Sequence, residues 1–338
     1  MGVIDEVYFV NETDQWFRNL AAIAYDQGRK VIGEIFAGGS GEDLGNIVGY
    51  PCPRLVHQQL NALARVPGVT GVKEYFGFVT EYSSVNEDTM KLVAKDPYRS
   101  WDSVAKELSV AYAADDEGDV RLFWEYAARA LEFIPWELSW VLRFSNLPPY
   151  AENWGHQFVE LMKTPWSTPS WQSNRRSFYL VVDSETNFTA CMQKDLIERL
   201  KTSVVLLEKA NETSRSIEVA MDKLASFQLQ QESVKLLLLM ARSRLHHLQL
   251  SFIAETLRTK QSEREKGPQS ILMLLDRELQ NANEFLDILM HSTIPYSFKS
   301  GEGTPLELNT VRETMGRIQQ SKKRLSDEGL DVWLKHYY

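Results

Sequence analysis

Three short runs rich in branched and aromatic residues, Ile4–Val10 (IDEVYFV), Val31–Ala37 (VIGEIFA) and Val69–Phe76 (VTGVKEYF), alternate with helix-like stretches at the start of the chain. This β-α-β-α-β order narrows the choice of fold more than any other part of the sequence. Consecutive strands joined by helices are parallel strands with right-handed crossovers, and polar residues at their C-terminal ends are where α/β barrels keep their chemistry. Between the first two runs, Thr13 or Asp14 can cap a helix that ends at Gly28. It carries an apolar stripe of Trp16, Leu20, Ile23 and Ala24. Between the second and third lie a glycine-rich loop, Gly38 to Pro53, and a helix, Arg54–Val66, stopped by Pro67-Gly68.

After Gly77 the pattern is helical. A short helix starts at Asn86 or Asp88 and ends before Pro97, and Trp101–Ala113 follows with Asp102 as its expected cap. Glu117–Ile134 is amphipathic, with Val120, Phe123, Trp124, Ala127, Ala128 and Leu131 spaced by three and four. Residues 145–187 are rich in loops, broken by Pro148-Pro149, Pro165 and Pro169, with a strand-like Phe178–Val182. From Thr189 onward, helices are expected at Cys191–Ala210, Glu212–Lys260 with a kink near Gln228–Glu232, Ser270–His291 and Leu306–Leu325. The chain divides on this reading into residues 1–85, an α/β segment; 86–187, a helical and loop-rich region containing most of the tryptophans; and 188–338, a helical bundle.

The chain has 338 residues and a net charge of -9, which disfavours binding to nucleic acid or to anionic membranes, since both require a basic face. No apolar run approaches the roughly 18 residues of a membrane span. No signal peptide is evident, and the compartment stays open. Cys52 and Cys191 form neither a disulfide framework nor a metal-ligand spacing. His246-His247 is an adjacent pair on a helix, so its side chains diverge and a metal site there is disfavoured. The loop Gly38-Gly39-Ser40-Gly41 lacks both the Gly-Lys-Ser/Thr ending of a P-loop and the Gly-x-Gly-x-x-Gly spacing. No metal and no cofactor is expected.

The candidate chemistry sits at the ends of the strands. Glu34 and Glu74 are carboxylates near the C-terminal ends of two runs, and an inward carboxylate is expensive unless it is solvated, paired or used. Two of them at one barrel mouth can act as acid and nucleophile in glycosidic bond hydrolysis. Asn11 and Glu12, just past the first run, and Tyr75, beside Glu74, are candidate substrate contacts. Seven of the nine tryptophans lie between Trp101 and Trp171. Of these, Trp154, Trp166 and Trp171 fall in loops and are free to stack on sugar rings. Trp124, Trp136 and Trp140 have helical spacing and belong to a core. The expected partner is an oligosaccharide or glycoside, and the Leu and Met stripe of the C-terminal helices also allows self-association.

Gly71-Val72-Lys73-Glu74-Tyr75-Phe76-Gly77 resembles the last barrel strand of large glycoside hydrolase-like proteins. Ala127-Ala128-Arg129-Ala130-Leu131-Glu132-Phe133-Ile134-Pro135 is similar to the helix that follows the barrel there. The C-terminal helices resemble the helical domain such proteins append. The resemblance implies the fold class α/β plus all-α: the last strands of a partial (β/α) barrel, followed by a mostly helical domain with long antiparallel helices. It implies a carbohydrate-processing activity, with the upstream strands of the barrel missing from this chain. The competing expectation, from another class, is a noncatalytic helical scaffold or interaction module.

Overall fold

A computed structural model of the chain describes residues 13, 15–35, 47, 49–74, 84–113, 117–134, 187–292 and 308–336. The described elements are, in order, α1 (Gln15–Asp26), β1 (Val31–Ile35), α2 (Pro53–Ala64), β2 (Val69–Glu74), α3 (Val85–Lys95), α4 (Trp101–Tyr112) and α5 (Glu117–Phe133). They continue with α6 (Asn187–Thr213), α7 (Leu224–Thr259), α8 (Gly267–His291), α9 (Leu308–Glu328) and α10 (Leu330–His336). The chain forms two compact units. One holds the described residues up to Ile134 together with Val205–Leu237. The other holds described residues 187–204 and those from Leu238 on.

This architecture corrects the expected partial (β/α) barrel. Among the described residues there are two strands, β1 and β2, paired in parallel across α2, and everything else regular is helical. A barrel wall requires strands paired on both sides with a continuous stagger, and neither strand has a second neighbour among the described residues. Branched and aromatic residues report only a local preference for extended backbone. Closure depends on partners distant in sequence, so short runs that read as strands did not carry it. The runs Ile4–Val10 and Phe178–Val182 lie outside the described residues.

In the first unit, the expected helices form because their apolar positions meet one core. Val120, Phe123, Trp124, Ala127, Ala128 and Leu131 of α5 are buried, as their spacing predicts. Trp124 meets Tyr112 of α4 edge-on, with ring centroids 5.5 Å apart, and Phe123 meets Phe227 of α7 at 5.4 Å. Gly33 of β1 lies close to α2: a Cβ there would be 2.8 Å from Leu63 Cδ2, and the leucine side chain would have to shift. The caps differ from expectation by a few residues. Ser84 caps α3 by accepting from Asn86 N–H, and Ser100 caps α4 by accepting from Ser103 N–H. Glu87 and Asp88 in the first turn of α3 and Lys95 in its last complement the helix dipole.

The expected single helix Glu212–Lys260 is interrupted. Between α6 and α7 the chain makes two 3-10 turns, Ser214–Ser216 and Met221–Lys223, flanking an extended stretch in which Val219 bridges Ala113. No proline or glycine marks the break. Instead Ser214 and Ser216 donate their hydroxyls to the carbonyls of Asn211 and Thr213, and Gln231 Nε2 donates to the Ser214 carbonyl at 2.6 Å. Serine side chains compete with the helical ladder in this way.

The second unit is built on α7, α8, α9 and α10. Leu250, Leu257, Ile271, Leu274, Leu275, Ile318, Leu325 and Trp333 form one buried cluster. Trp333 Nε1 donates to Ser321 Oγ at 2.8 Å, so the indole is buried without losing its hydrogen bond. Among the described residues no helix is long and apolar enough to cross a membrane.

Candidate functional site

The register of the two parallel strands decides which expected site residues meet. Glu34 is opposite Lys73 and Ile35 is opposite Glu74. The exposed positions of β1 are Ile32 and Glu34, alternating with buried Gly33 and Ile35. Lys73 Nζ lies 2.8 Å from Glu34 Oε1, with both side chains substantially exposed. Glu34 is therefore both solvated and paired, two of the three conditions under which a carboxylate at a strand end is inexpensive. The ladder thus brings Glu34 to Lys73. Asn11, Glu12, Tyr75, Trp154, Trp166 and Trp171 lie outside the described residues.

A second cluster was not anticipated from the sequence. Glu278 of α8 is fully buried and accepts two hydrogen bonds from α7: Ser243 Oγ–H at 2.5 Å and His246 Nδ1–H at 2.6 Å. Ser243 and His246 are three residues apart and so share a helix face. The carboxylate fixes the imidazole: with Nδ1 donating to Glu278, Nε2 is the ring nitrogen left over. His246 borders a cleft of about 250 Å³ whose other walls are Arg242, Arg277, Gln280, Asn281 and Glu284. Arg242 stands 3.7 Å from Glu284 at one side, while Asn281 Nδ2 donates to the Leu239 carbonyl at 2.8 Å.

Arg277 also borders an adjoining cleft of about 360 Å³. Here Lys194 and Lys201 of α6 stand over an apolar floor that includes Ile197, Phe252 and Leu274. Lys201 is paired with Glu198 at 2.7 Å. Arg277 has no ion pair or hydrogen bond among the described residues.

His246 drew attention in the sequence only as half of an adjacent pair. The missed signal is Glu278 itself. It falls in the stripe formed by Ile271, Leu274, Leu275, Ala282 and Phe285, where Asn281 is the other polar residue on the buried face of α8. A glutamate in such a stripe needs a buried donor from another element. Among the described residues no group of three or more histidine, cysteine, aspartate or glutamate side chains is placed to hold a metal ion. Cys52 is buried at the start of α2, with Asn86 Nδ2 3.5 Å from its sulfur, a packing position.

Comparison with known proteins adds a likeness of fold. No protein-family model and no curated protein matches the chain. A solved structure described as a GH138 enzyme targeting pectin rhamnogalacturonan II superposes with a TM-score of 0.57 at 10% identity, over 96% of this chain. The chain spans 43% of that enzyme's length.

Proposed function

We propose that the chain is a carbohydrate-active protein of the glycoside hydrolase kind. The observation that carries this reading is the likeness of fold, over nearly the whole chain, to an enzyme whose description names a pectic polysaccharide as target. The strand-end residues and the loop tryptophans read from the sequence agree with it in chemical character.

Within this reading the chemistry is hydrolysis of a glycosidic bond. Glu34 is the charge partner of Lys73, and of the two strand-end glutamates read from the sequence, Glu74 is the one proposed as the catalytic carboxylate. Asn11, Glu12 and Tyr75 are the proposed sugar contacts near it, and Trp154, Trp166 and Trp171 the proposed stacking surfaces. The test is turnover of a panel of aryl glycosides and pectic oligosaccharides by the chain and by Glu74→Gln. The expected result is turnover lowered by about 100-fold or more in the variant, as for loss of a general acid or base. Equal turnover by both proteins removes Glu74 from the site. Absence of binding to every saccharide tested removes the carbohydrate reading.

One observation favours a noncatalytic interaction module instead. Trp16, Leu20 and Ile23 of α1, at helical spacing, are 72%, 44% and 55% exposed. If Trp16→Ser with Ile23→Ser left saccharide turnover intact but abolished association with another protein, that surface would be the functional one.

A further inference from the structure

The Glu278–His246 pair and Arg277 lie in the unit that carries none of the strand-end residues. Three features set their cleft apart from ordinary helix packing. A fully buried carboxylate is spent on holding one histidine and one serine. The imidazole it holds borders open space with Nε2 as its remaining hydrogen-bonding atom. A guanidinium with no ion pair or hydrogen bond among the described residues borders the same space, in a chain whose net charge is -9. Arg242 beside it has its own acid in Glu284.

We propose that this cleft between α7 and α8 is a binding site for an oxyanion group, a carboxylate, sulfate or phosphate carried by a small ligand, held by Arg277 and by Nε2–H of protonated His246. Arg277 presents a planar fork of donors that matches two oxygens of such a group. His246 supplies a further donor once protonated, and buried Glu278 balances the charge from behind through Nδ1. Without ligand, imidazole and carboxylate need only one proton between them to keep their hydrogen bond. With an anion at Nε2, the imidazole has to carry both protons.

The charged groups facing His246 are Glu278, Arg277 and Glu284 from α8 and Arg242 from α7. Lys194, Lys201 and Glu198 of α6 are reached across the adjoining cleft. The positive groups of that neighbouring cleft, and its apolar floor, leave room for the body of a ligand larger than the oxyanion itself.

The experiment is titration calorimetry of the full chain with sodium sulfate, whose charge is constant from about pH 5.5 to 8. Chloride at matched ionic strength is the control. The expected result is saturable sulfate binding that chloride does not reproduce. Arg277→Gln, at an exposed position where folding is not at stake, weakens sulfate binding by about tenfold or more. His246→Gln weakens sulfate binding as well, and its thermal melt separates loss of binding from loss of fold. Parallel titrations with inorganic phosphate, and with glucuronate against glucose, identify the source of the oxyanion. Preference for phosphate points to a phosphoester, and preference for glucuronate over glucose to a sugar acid. No sulfate, phosphate or glucuronate binding at millimolar concentration and pH 5.5 would overturn the proposal. So would binding unchanged in both variants. Neither result bears on turnover at Glu74.

Discussion

Lys73 Nζ lies 2.8 Å from Glu34 Oε1 across the two parallel strands, so the carboxylate expected to share a site with Glu74 is held by a neighbour on the ladder. Both members are well exposed, and exposed pairs of this kind contribute about 0–1 kcal/mol. A double-mutant cycle with Glu34→Gln and Lys73→Met, read by urea unfolding, is expected to give a coupling below about 1 kcal/mol that shrinks further in 1 M salt. A coupling well above that would mean the strand ends are far less solvated than their exposure indicates.

Glu278 is the opposite case. It is fully buried, and its two donors come from another helix. Glu278→Ala leaves Ser243 Oγ and His246 Nδ1 without their acceptor and opens space between α7 and α8. The expected destabilisation is about 3–5 kcal/mol. Glu278→Gln keeps the shape and one acceptor, while the imidazole and the hydroxyl can reorganise around the new amide, so a smaller loss is expected. Equilibrium unfolding of both variants checks the order. Equal losses would show that the cavity, not the hydrogen bonding, dominates.

Two buried phenols predict alkaline instability. Burial, with the nearby Cys52 adding to it, pushes the Tyr50 hydroxyl well above the ordinary tyrosine range. Tyr112 is also raised, chiefly by burial. The Ser226 hydroxyl opposes the shift, and the charge of Asp88 and its hydrogen bond add to it. Below about pH 10 the folded and unfolded chains both keep these protons, and the contribution of the phenols to stability is complete. As the pH rises above that value, the unfolded chain releases protons that the folded chain retains. Stability then falls by up to about 1.4 kcal/mol per pH unit for each phenol. Unfolding midpoints measured from pH 8 to 11 are expected to decline above about pH 10, with a shallower decline in Tyr112→Phe. An unchanged slope in that variant would count against burial of its hydroxyl.

What the sequence made legible follows the range of the forces involved. The buried face of α5 depends on residues within a turn or two and is where periodicity puts it, and α2 ends at Ala64, a few residues before the Pro67-Gly68 breaker that was expected to stop it. The break between α6 and α7 rests on serine hydroxyls bonding to local carbonyls and on Gln231 reaching back to Ser214, for which neither glycine nor proline gives notice. The barrel was misread because closure is a property of distant pairings, while Val31–Ile35 and Val69–Glu74 announce only that each is extended. The cleft was missed because His246 and Glu278 stand 32 positions apart, and only a folded helix pair makes them one group.

Asn86 shows how one buried amide can fix a junction that is formed from separate segments. It is fully buried. Its Nδ2 donates to the Tyr50 carbonyl at 2.8 Å, and its Oδ1 accepts from Cys52 N–H at 2.9 Å. The amide thus satisfies the backbone on both sides of Pro51 as the chain enters α2. Asn86→Ala leaves a donor and an acceptor buried without partners, which costs about 2–4 kcal/mol for the two groups. Asn86→Asp keeps the acceptor for Cys52 N–H but faces the Tyr50 carbonyl with a second acceptor, so it is expected to be no better than alanine at neutral pH and to recover part of the loss in acid, where a protonated carboxyl can donate to that carbonyl. Unfolding of the two variants at about pH 7 and pH 4, each against the parent chain at the same pH, tests this: the gap between Asp and Ala should change in favour of Asp on acidification. A gap that stays constant would show that the Tyr50 carbonyl finds another donor once Asn86 is gone.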